Sequence, residues 1–276
     1  MDNFVIEAKG ISKVIGTNKI IEHLDLFFPQ NAIILAEGKN GSGKSVTLKM
    51  LAKLLQTTKG LIHRSGSISY APDILPSTIN LTVREYLNFI GKLSSTSENK
   101  LTMGYLIELF DLDTFLEKKI RACSKGTQQK VNIIQCLVRK ADIYIMDEPF
   151  SGLDKQAIIT LKSLLISKKE TATVILTSHE ETLDSSFITH QFNLEENKLF
   201  EIIQKSRVQN KIIKVGNQSH MDLITVLENS GLKIIKKENS FLIKVSSSQS
   251  NETIANLIKH DYFIEEVRED NEDDVY

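Results

Sequence analysis

The chain has 276 residues, 41% of them hydrophobic and 25% charged, with a formal net charge of −1 at pH 7. It is long enough to bury a sizeable core in one large domain or two, and a charge so near zero gives no electrostatic reason to expect a nucleic-acid partner. No apolar run approaches the roughly 20 residues that span a bilayer, and the N-terminal Met1-Asp2-Asn3-Phe4 lacks the basic region and apolar core of a signal sequence. Cys123 and Cys136 are spaced neither as a metal knuckle nor as a redox pair, which suits a reducing cytosol.

Residues 4–28 alternate short apolar stretches with glycine turns at Gly10 and Gly16, the pattern of antiparallel strands flanking a larger sheet. Ala32-Ile33-Ile34-Leu35-Ala36 reads as a buried strand, and Val46, Met50, Leu51, Leu54 and Leu55 then recur at helical spacing. Gly60 and Gly66 mark turns before a strand over 67–71. Residues 75–121 lack strand signals and read as a helical insertion. Thr82 and Glu85 make a capping box, and a polar break at 94–100 separates that helix from an amphipathic stretch at 101–110. Ser124 is placed to cap the helix that carries Ile134, Leu137 and Val138 on one face. Ile143-Tyr144-Ile145-Met146 is apolar throughout, as a parallel strand buried on both faces requires. A turn at 151–154, a helix through Ala157, Leu161 and Leu165, and a strand over 174–178 follow. From about Lys205 the composition shifts towards Lys, Ser and Asn. Strands at 211–215, 232–237, 241–245 and 263–268, with helices at 221–229 and 252–259, give a βαββαβ order. The acidic stretch 265–274 reads as a solvated end.

Three segments carry chemistry. Gly38, Gly43, Lys44 and Ser45 spell G-x-x-x-x-G-K-S between a strand and a helix, the phosphate-binding loop pattern. Its glycines permit close backbone approach to a phosphate, Lys44 neutralises the β- and γ-phosphates, and the Ser45 hydroxyl is a magnesium ligand. Asp147 and Glu148 end an apolar strand, where open α/β sheets bind ligands. On the phosphoryl-transfer template, Asp147 holds magnesium opposite Ser45, and Glu148 orients and deprotonates the attacking water. His179 ends another buried strand, within reach of a γ-phosphate oxygen.

In this order the motifs resemble those of the nucleotide-binding subunit of an ATP-binding cassette (ABC) transporter: the loop at 38–45, Ser-Lys-Gly-Thr-Gln at 124–128, Asp-Glu-Pro at 147–149, Ser-Gly-Leu-Asp at 151–154 and Ser-His at 178–179. The segment at 124–128 is the most diagnostic, since other phosphate-loop NTPases lack it; Lys125 and Thr127 are variants of the family's Ser-Gly-Gly-Gln. The resemblance covers residues 1 to about 200. It implies an α/β fold, a P-loop NTPase with an antiparallel β subdomain and a helical subdomain, plus a small α+β ferredoxin-like C-terminal domain. The expected boundaries are 1–205, with the helical subdomain at about 75–140, and 206–276.

The resemblance also implies two ATPs sandwiched in a head-to-tail, probable homodimer of such subunits. Each ATP meets Gly38, Lys39, Asn40, Gly41, Ser42, Gly43, Lys44, Ser45 and Val46 of one subunit, and Ser124, Gly126 and Thr127 of the other. Asp154 connects the two sites. Glu148, His179 and Lys44 form the hydrolytic set, and Ser45, Asp73 and Asp147 the Mg2+ ligands. The segment 80–87 is similar to export-type cassettes, so the expected function is ATP hydrolysis that powers a separate polytopic permease, with the subunit cytoplasmic and peripheral on the inner face of the membrane. No nucleic-acid partner is expected. The alternatives are a soluble ABC protein acting on ribosomes or DNA, or a degenerate cassette that binds ATP without efficient hydrolysis.

Three positions depart from the family pattern. Ile15 stands where an aromatic stacks on adenine, with Phe4 a second candidate for that role. Asp73 replaces the metal-touching glutamine, and Cys123 replaces a leucine.

Overall fold

The computed structural model describes residues 4–93, 98–179, 185–202, 210–216, 223, 232–237, 240–260 and 262–269. The chain divides into two compact units, Met1–Ile203 and Gln204–Tyr276.

The first unit is built on a six-stranded sheet of order β5-β6-β7-β3-β8-β9. Its strands are β3 (Ile33–Glu37), β5 (Ile68–Ala71), β6 (Ile143–Met146), β7 (Thr173–Thr177), β8 (His190–Asn193) and β9 (Lys198–Glu201). The first five are parallel, and β9 returns antiparallel to β8. The continuously apolar sequences are explained by cover on both faces, because successive side chains point to opposite sides of the sheet. Tyr144, Met146, Val174 and Leu176 join one core with the helices α2 (Val83–Leu93), α3 (Glu98–Leu109), α4 (Lys125–Leu137) and α5 (Lys155–Lys169). Ile34, Ile143, Ile145 and Ile175 join the other. That second core is closed by α1 (Lys44–Leu51) and by an antiparallel sheet of β2 (Asn18–Pro29), β1 (Phe4–Ile15) and β4 (Lys59–Arg64).

Several details differ from expectation. The N-terminal segment forms two strands of 12 residues rather than several short ones. Gly10 lies inside β1, not in a turn: the register shifts between Ala8 and Ile11, and φ at Gly10 is 58°. This is a bulge, which glycine tolerates without strain. Gly60 likewise lies within a strand, β4, and β8 and β9 lie in a stretch without strand signals. The capping box forms as read, with Thr82 N–H donating to Glu85 Oε2 at 2.8 Å and Glu85 N–H to Thr82 Oγ1 at 3.1 Å.

The second unit holds a four-stranded antiparallel sheet of order β11-β12-β10-β13. Its strands are β10 (Asn210–Gly216), β11 (Lys233–Lys236), β12 (Ser240–Ser246) and β13 (Ile264–Glu269), with α6 (Ser247–Lys259) between the last two. Inserting β12 between β10 and β11 is the split arrangement of a ferredoxin-like fold. Ile213, Val215, Leu223, Ile243, Val245, Leu257 and Tyr262 form its core. Of the helix expected at 221–229 only Leu223 is among the described residues, and the acidic end beyond 269 lies outside them.

Candidate active site

The order β5-β6-β7-β3 sets the C-terminal ends of four parallel strands side by side. Asp73 follows β5, Asp147 and Glu148 follow β6, Ser178 and His179 follow β7, and the glycine loop 38–43 follows β3. Residues separated by more than a hundred positions in sequence thus share one edge, where ligands of open α/β sheets bind.

The loop is shaped by glycine. Gly41 and Gly43 have φ of 83° and 97°, a region costly for other residues. A Cβ on Gly43 would also lie 2.5 Å from Ile21 Cδ1, and one on Gly38 2.7 Å from Ser42 Oγ. Gly43 caps α1 without a side-chain bond, leaving the first N–H groups of the helix for an anion. Lys44 is only 7% exposed and folds back over the loop, its Nζ donating to Gly38 O at 2.5 Å and Lys39 O at 3.1 Å. Ser45 points to solvent.

The carboxylates are fixed by one hydroxyl. Thr177 Oγ1 donates to Asp147 Oδ1 at 2.8 Å and accepts from Glu148 N–H at 2.9 Å. Glu148 takes the left-handed backbone (φ 50°). Its carbonyl accepts from Gln129 Nε2 at 3.0 Å and from Ser151 N–H at 3.1 Å, so the surrounding structure holds the strained conformation in place. Its Oε2 accepts from His179 N–H at 2.9 Å. Its Oε1 comes within 3.3 Å of His179 Nε2 without forming a hydrogen bond. Burial pushes the Glu148 carboxyl above its ordinary value, and His179 opposes that rise.

On α4, Ser124 is the N-cap, accepting from Thr127 N–H at 3.2 Å. Thr127 is buried, and its hydroxyl lies 2.8 Å from Ser124 Oγ, so it supports the capping serine from within. A Cβ on Gly126 would collide with the Gly152 carbonyl. Lys125 Nζ donates to Ser151 Oγ at 2.9 Å, and Lys130 pairs with Asp154 at 2.8 Å. Ser124 and Asp154 face solvent, and among the described residues no hydrogen bond or ion pair joins Ser124, Gly126 or Thr127 to residues 38–45. The structure therefore gathers the loop, the acids and His179 at one edge and leaves the signature serine bonded within its own helix.

Ile15 is 48% exposed at the tip of the β1–β2 hairpin, and Ile20 and Ile21 of that hairpin lie against Gly43. Phe4 is at the far end of the same ladder, opposite Pro29 and 5.6 Å from the Phe27 ring, which removes it as an adenine platform. Sequence reading missed Thr177, Gln129 and also Asn132, whose Nδ2 donates to Pro72 O at 2.5 Å beside Asp73.

Four buried side-chain oxygens among the described residues have no hydrogen-bond partner: Ser42 Oγ, Thr47 Oγ1, Tyr70 Oη and Glu148 Oε1. All belong to the loop, its helix or the neighbouring strand ends. Unsatisfied buried groups are costly, and Ser42 Oγ on the glycine loop and Glu148 Oε1 at the end of β6 lie on the segments that would face a polyphosphate with its hard cation. Serine and aspartate oxygens are also the donors magnesium takes.

A parallel sheet with a glycine loop, a carboxylate pair and a histidine at its strand ends defines a P-loop nucleotide hydrolase. A family model described as ABC transporter matches residues 21–151. The ABC transporter ATP-binding protein YhaQ of Bacillus subtilis (strain 168) is 29% identical over 245 residues, covering 84% of this chain and 80% of its own. The cytochrome c biogenesis ATP-binding export protein CcmA of Rickettsia typhi is 33% identical over 181 residues, 60% of this chain and 90% of its own. A solved structure of the ATP-binding subunit of an ABC transporter has the same fold, with a TM-score of 0.65 over 72% of this chain and 90% of that one at 24% identity. The chain belongs to the ABC transporter family as an ATP-binding subunit, an ATPase of a transport system. Subunits of this family work with membrane permease subunits.

Proposed function

We propose that this subunit hydrolyses ATP with magnesium as one half of a head-to-tail dimer and so powers a separate polytopic permease that exports its cargo. The observation that carries the permease reading is an apolar cleft of about 270 Å³, lined by Leu54, Ile68, Tyr70, Ile90, Leu93 and Arg139. Leu54 and Leu93 are 62% and 59% exposed there, and Phe89 is exposed on the same helix as Leu93. Apolar side chains concentrated at one cleft favour a protein partner, and no described helix is long and apolar enough to cross a membrane itself. The subunit thus sits peripherally on the inner face of the membrane through its permease. The export direction is supported by segment 80–87 at the head of α2 and by the Rickettsia relative named as an export protein.

In this reading residues 1–205 are the catalytic domain, and 206–276 a smaller domain that contributes to dimer contact. Residues 38–46 cradle the phosphates, Lys44 exchanging its two loop carbonyls for β- and γ-phosphate oxygens, and Ile15 covers one face of the adenine. Ser45 and Asp147, with Asp73 beside them, hold magnesium, which when bound neutralises charge growing on the β- and γ-phosphates. Glu148 takes a proton from the attacking water, and His179 faces the γ-phosphate. Ser124 and Gly126 of the second subunit close the site, Thr127 steadies Ser124, and Asp154 bridges to the partner's half.

The test is a pull-down of tagged protein from detergent-solubilised membranes of its own cells, with co-purifying chains identified by mass spectrometry. A polytopic permease is the expected companion. Recovery only with ribosomes or DNA would overturn the transport role.

A further inference from the structure

Tyr70 is not part of the phosphate loop, the metal set or the hydrolytic set, yet its phenol is one of the four buried oxygens without a partner. Its position follows from register. Tyr70 on β5 pairs with Ile145 on β6, and Asp147 N–H donates to Ala71 O at 2.9 Å, continuing that ladder past the end of the strand. Asp147 keeps the alternation and shares a face with Ile145, and Tyr70 packs in the same core as Ile145 and Ile175. A diagonal cross-strand neighbour is within reach of an aromatic side chain. On the other flank, Thr177 of β7 faces the same carboxylate and donates to its Oδ1. Asp147 thus has on β7 a hydroxyl already bonded to it, and on β5, on the same face, a residue whose hydroxyl has no partner. Burial raises the Tyr70 phenol far above its ordinary value, and the Asp147 and Asp73 charges add to the rise, so it stays a donor at any working pH.

We propose that Tyr70 is a positioning residue for Asp147: its O–H completes the hydrogen bonding of that carboxylate when nucleotide and magnesium are bound, as the counterpart of Thr177. The inference rests on reading Asp147 as the magnesium-side acid. The same residue lines the apolar cleft.

Tyr70→Phe removes one oxygen and nothing else. Because that oxygen is unpartnered in the nucleotide-free protein, its removal leaves the Tm of the free protein unchanged or higher. Affinity for a non-hydrolysable ATP analogue is then titrated in EDTA and in magnesium. The expected result is unchanged affinity in EDTA and an about tenfold loss in the gain that magnesium brings, the size of one hydrogen bond to a charged group. An undiminished magnesium gain overturns the proposal, as does a parallel loss under both conditions with a lowered Tm, which marks a packing role. Asp147→Asn separates the two levels of the reading. If it abolishes the magnesium gain while Tyr70→Phe does not, only the tyrosine assignment fails; if it retains the gain, the metal assignment of Asp147 fails with it.

Discussion

At the scale of the residue, the proposed mechanism concentrates its chemistry on Glu148. Its backbone is held in a left-handed conformation by Thr177, Gln129 and Ser151, and its side chain is largely buried, with one carboxylate oxygen bonded to the His179 N–H. Rigid placement of a base near its water is worth about 10²- to 10⁴-fold in rate. Glu148→Gln keeps the shape and removes the proton acceptor, so turnover falls by that order while ATP affinity persists. Equal phosphate release by variant and wild type would remove Glu148 from the mechanism. The raised carboxyl adds a pH signature. A base must be ionised, so the acid limb of the wild-type rate profile lies above the ordinary carboxylate range. Stability moves the opposite way. The folded state holds this proton more tightly than the unfolded chain, so stability is lost as pH climbs from the ordinary glutamate value through the raised one. Glu148→Gln abolishes that loss, and its Tm gains on wild type as pH rises above the ordinary glutamate value.

At the scale of the element, α4 connects the parts. Its first turn carries Ser124 and Gly126, its second reaches Glu148 O through Gln129, and Asn132 and Gln135 hold Pro72 O and Tyr70 O. Gly126 is the tightest joint, because a Cβ there meets the Gly152 carbonyl. Gly126→Ala must push the helix away from the 151–154 turn. Overpacking of this kind costs about 1–3 kcal/mol, readable as a lowered denaturant midpoint, and turnover falls with it; a wild-type midpoint would mean that the turn yields freely. These links also show what a sequence can display. The glycine loop, Asp147-Glu148 and Ser124 were legible because each motif is contiguous and stands beside a strand or at a cap. Thr177, Gln129, Asn132 and Tyr70 were not, since each gains its role from a neighbour at least 19 residues away, as Gln129 does from Glu148. β4, β8 and β9 escaped for a different reason. Leu61 on β4 is 82% exposed, and Phe192 is the one fully buried side chain of β8, so neither strand carries an alternating pattern. They exist because the edges of β1, β3 and β8 offer unpaired backbone groups to β4, β8 and β9 in turn, which is a tertiary cause.

At the scale of the whole molecule, the proposed function makes this arrangement half of a catalytic site. Lys44, Asp147, Glu148 and His179 share one edge, whereas Ser124 and Asp154 face solvent, bonded only within their own neighbourhood. In the proposed function a second copy, turned head to tail, supplies the missing face, and the nucleotide joins the two. ATP with magnesium therefore converts Glu148→Gln, which cannot discharge its nucleotide, from a monomer into a dimer of twice the mass by light scattering. Ser124→Asp in that background is the stringent control. Aspartate caps a helix about as well as serine, so α4 survives, but in the proposed dimer a new negative charge faces the partner's γ-phosphate. The double variant stays monomeric at ATP concentrations that dimerise Glu148→Gln. An ATP-dependent dimer that ignores the new charge would place Ser124 outside the nucleotide interface. A dimer that forms without ATP would move the principal contact to residues 206–276.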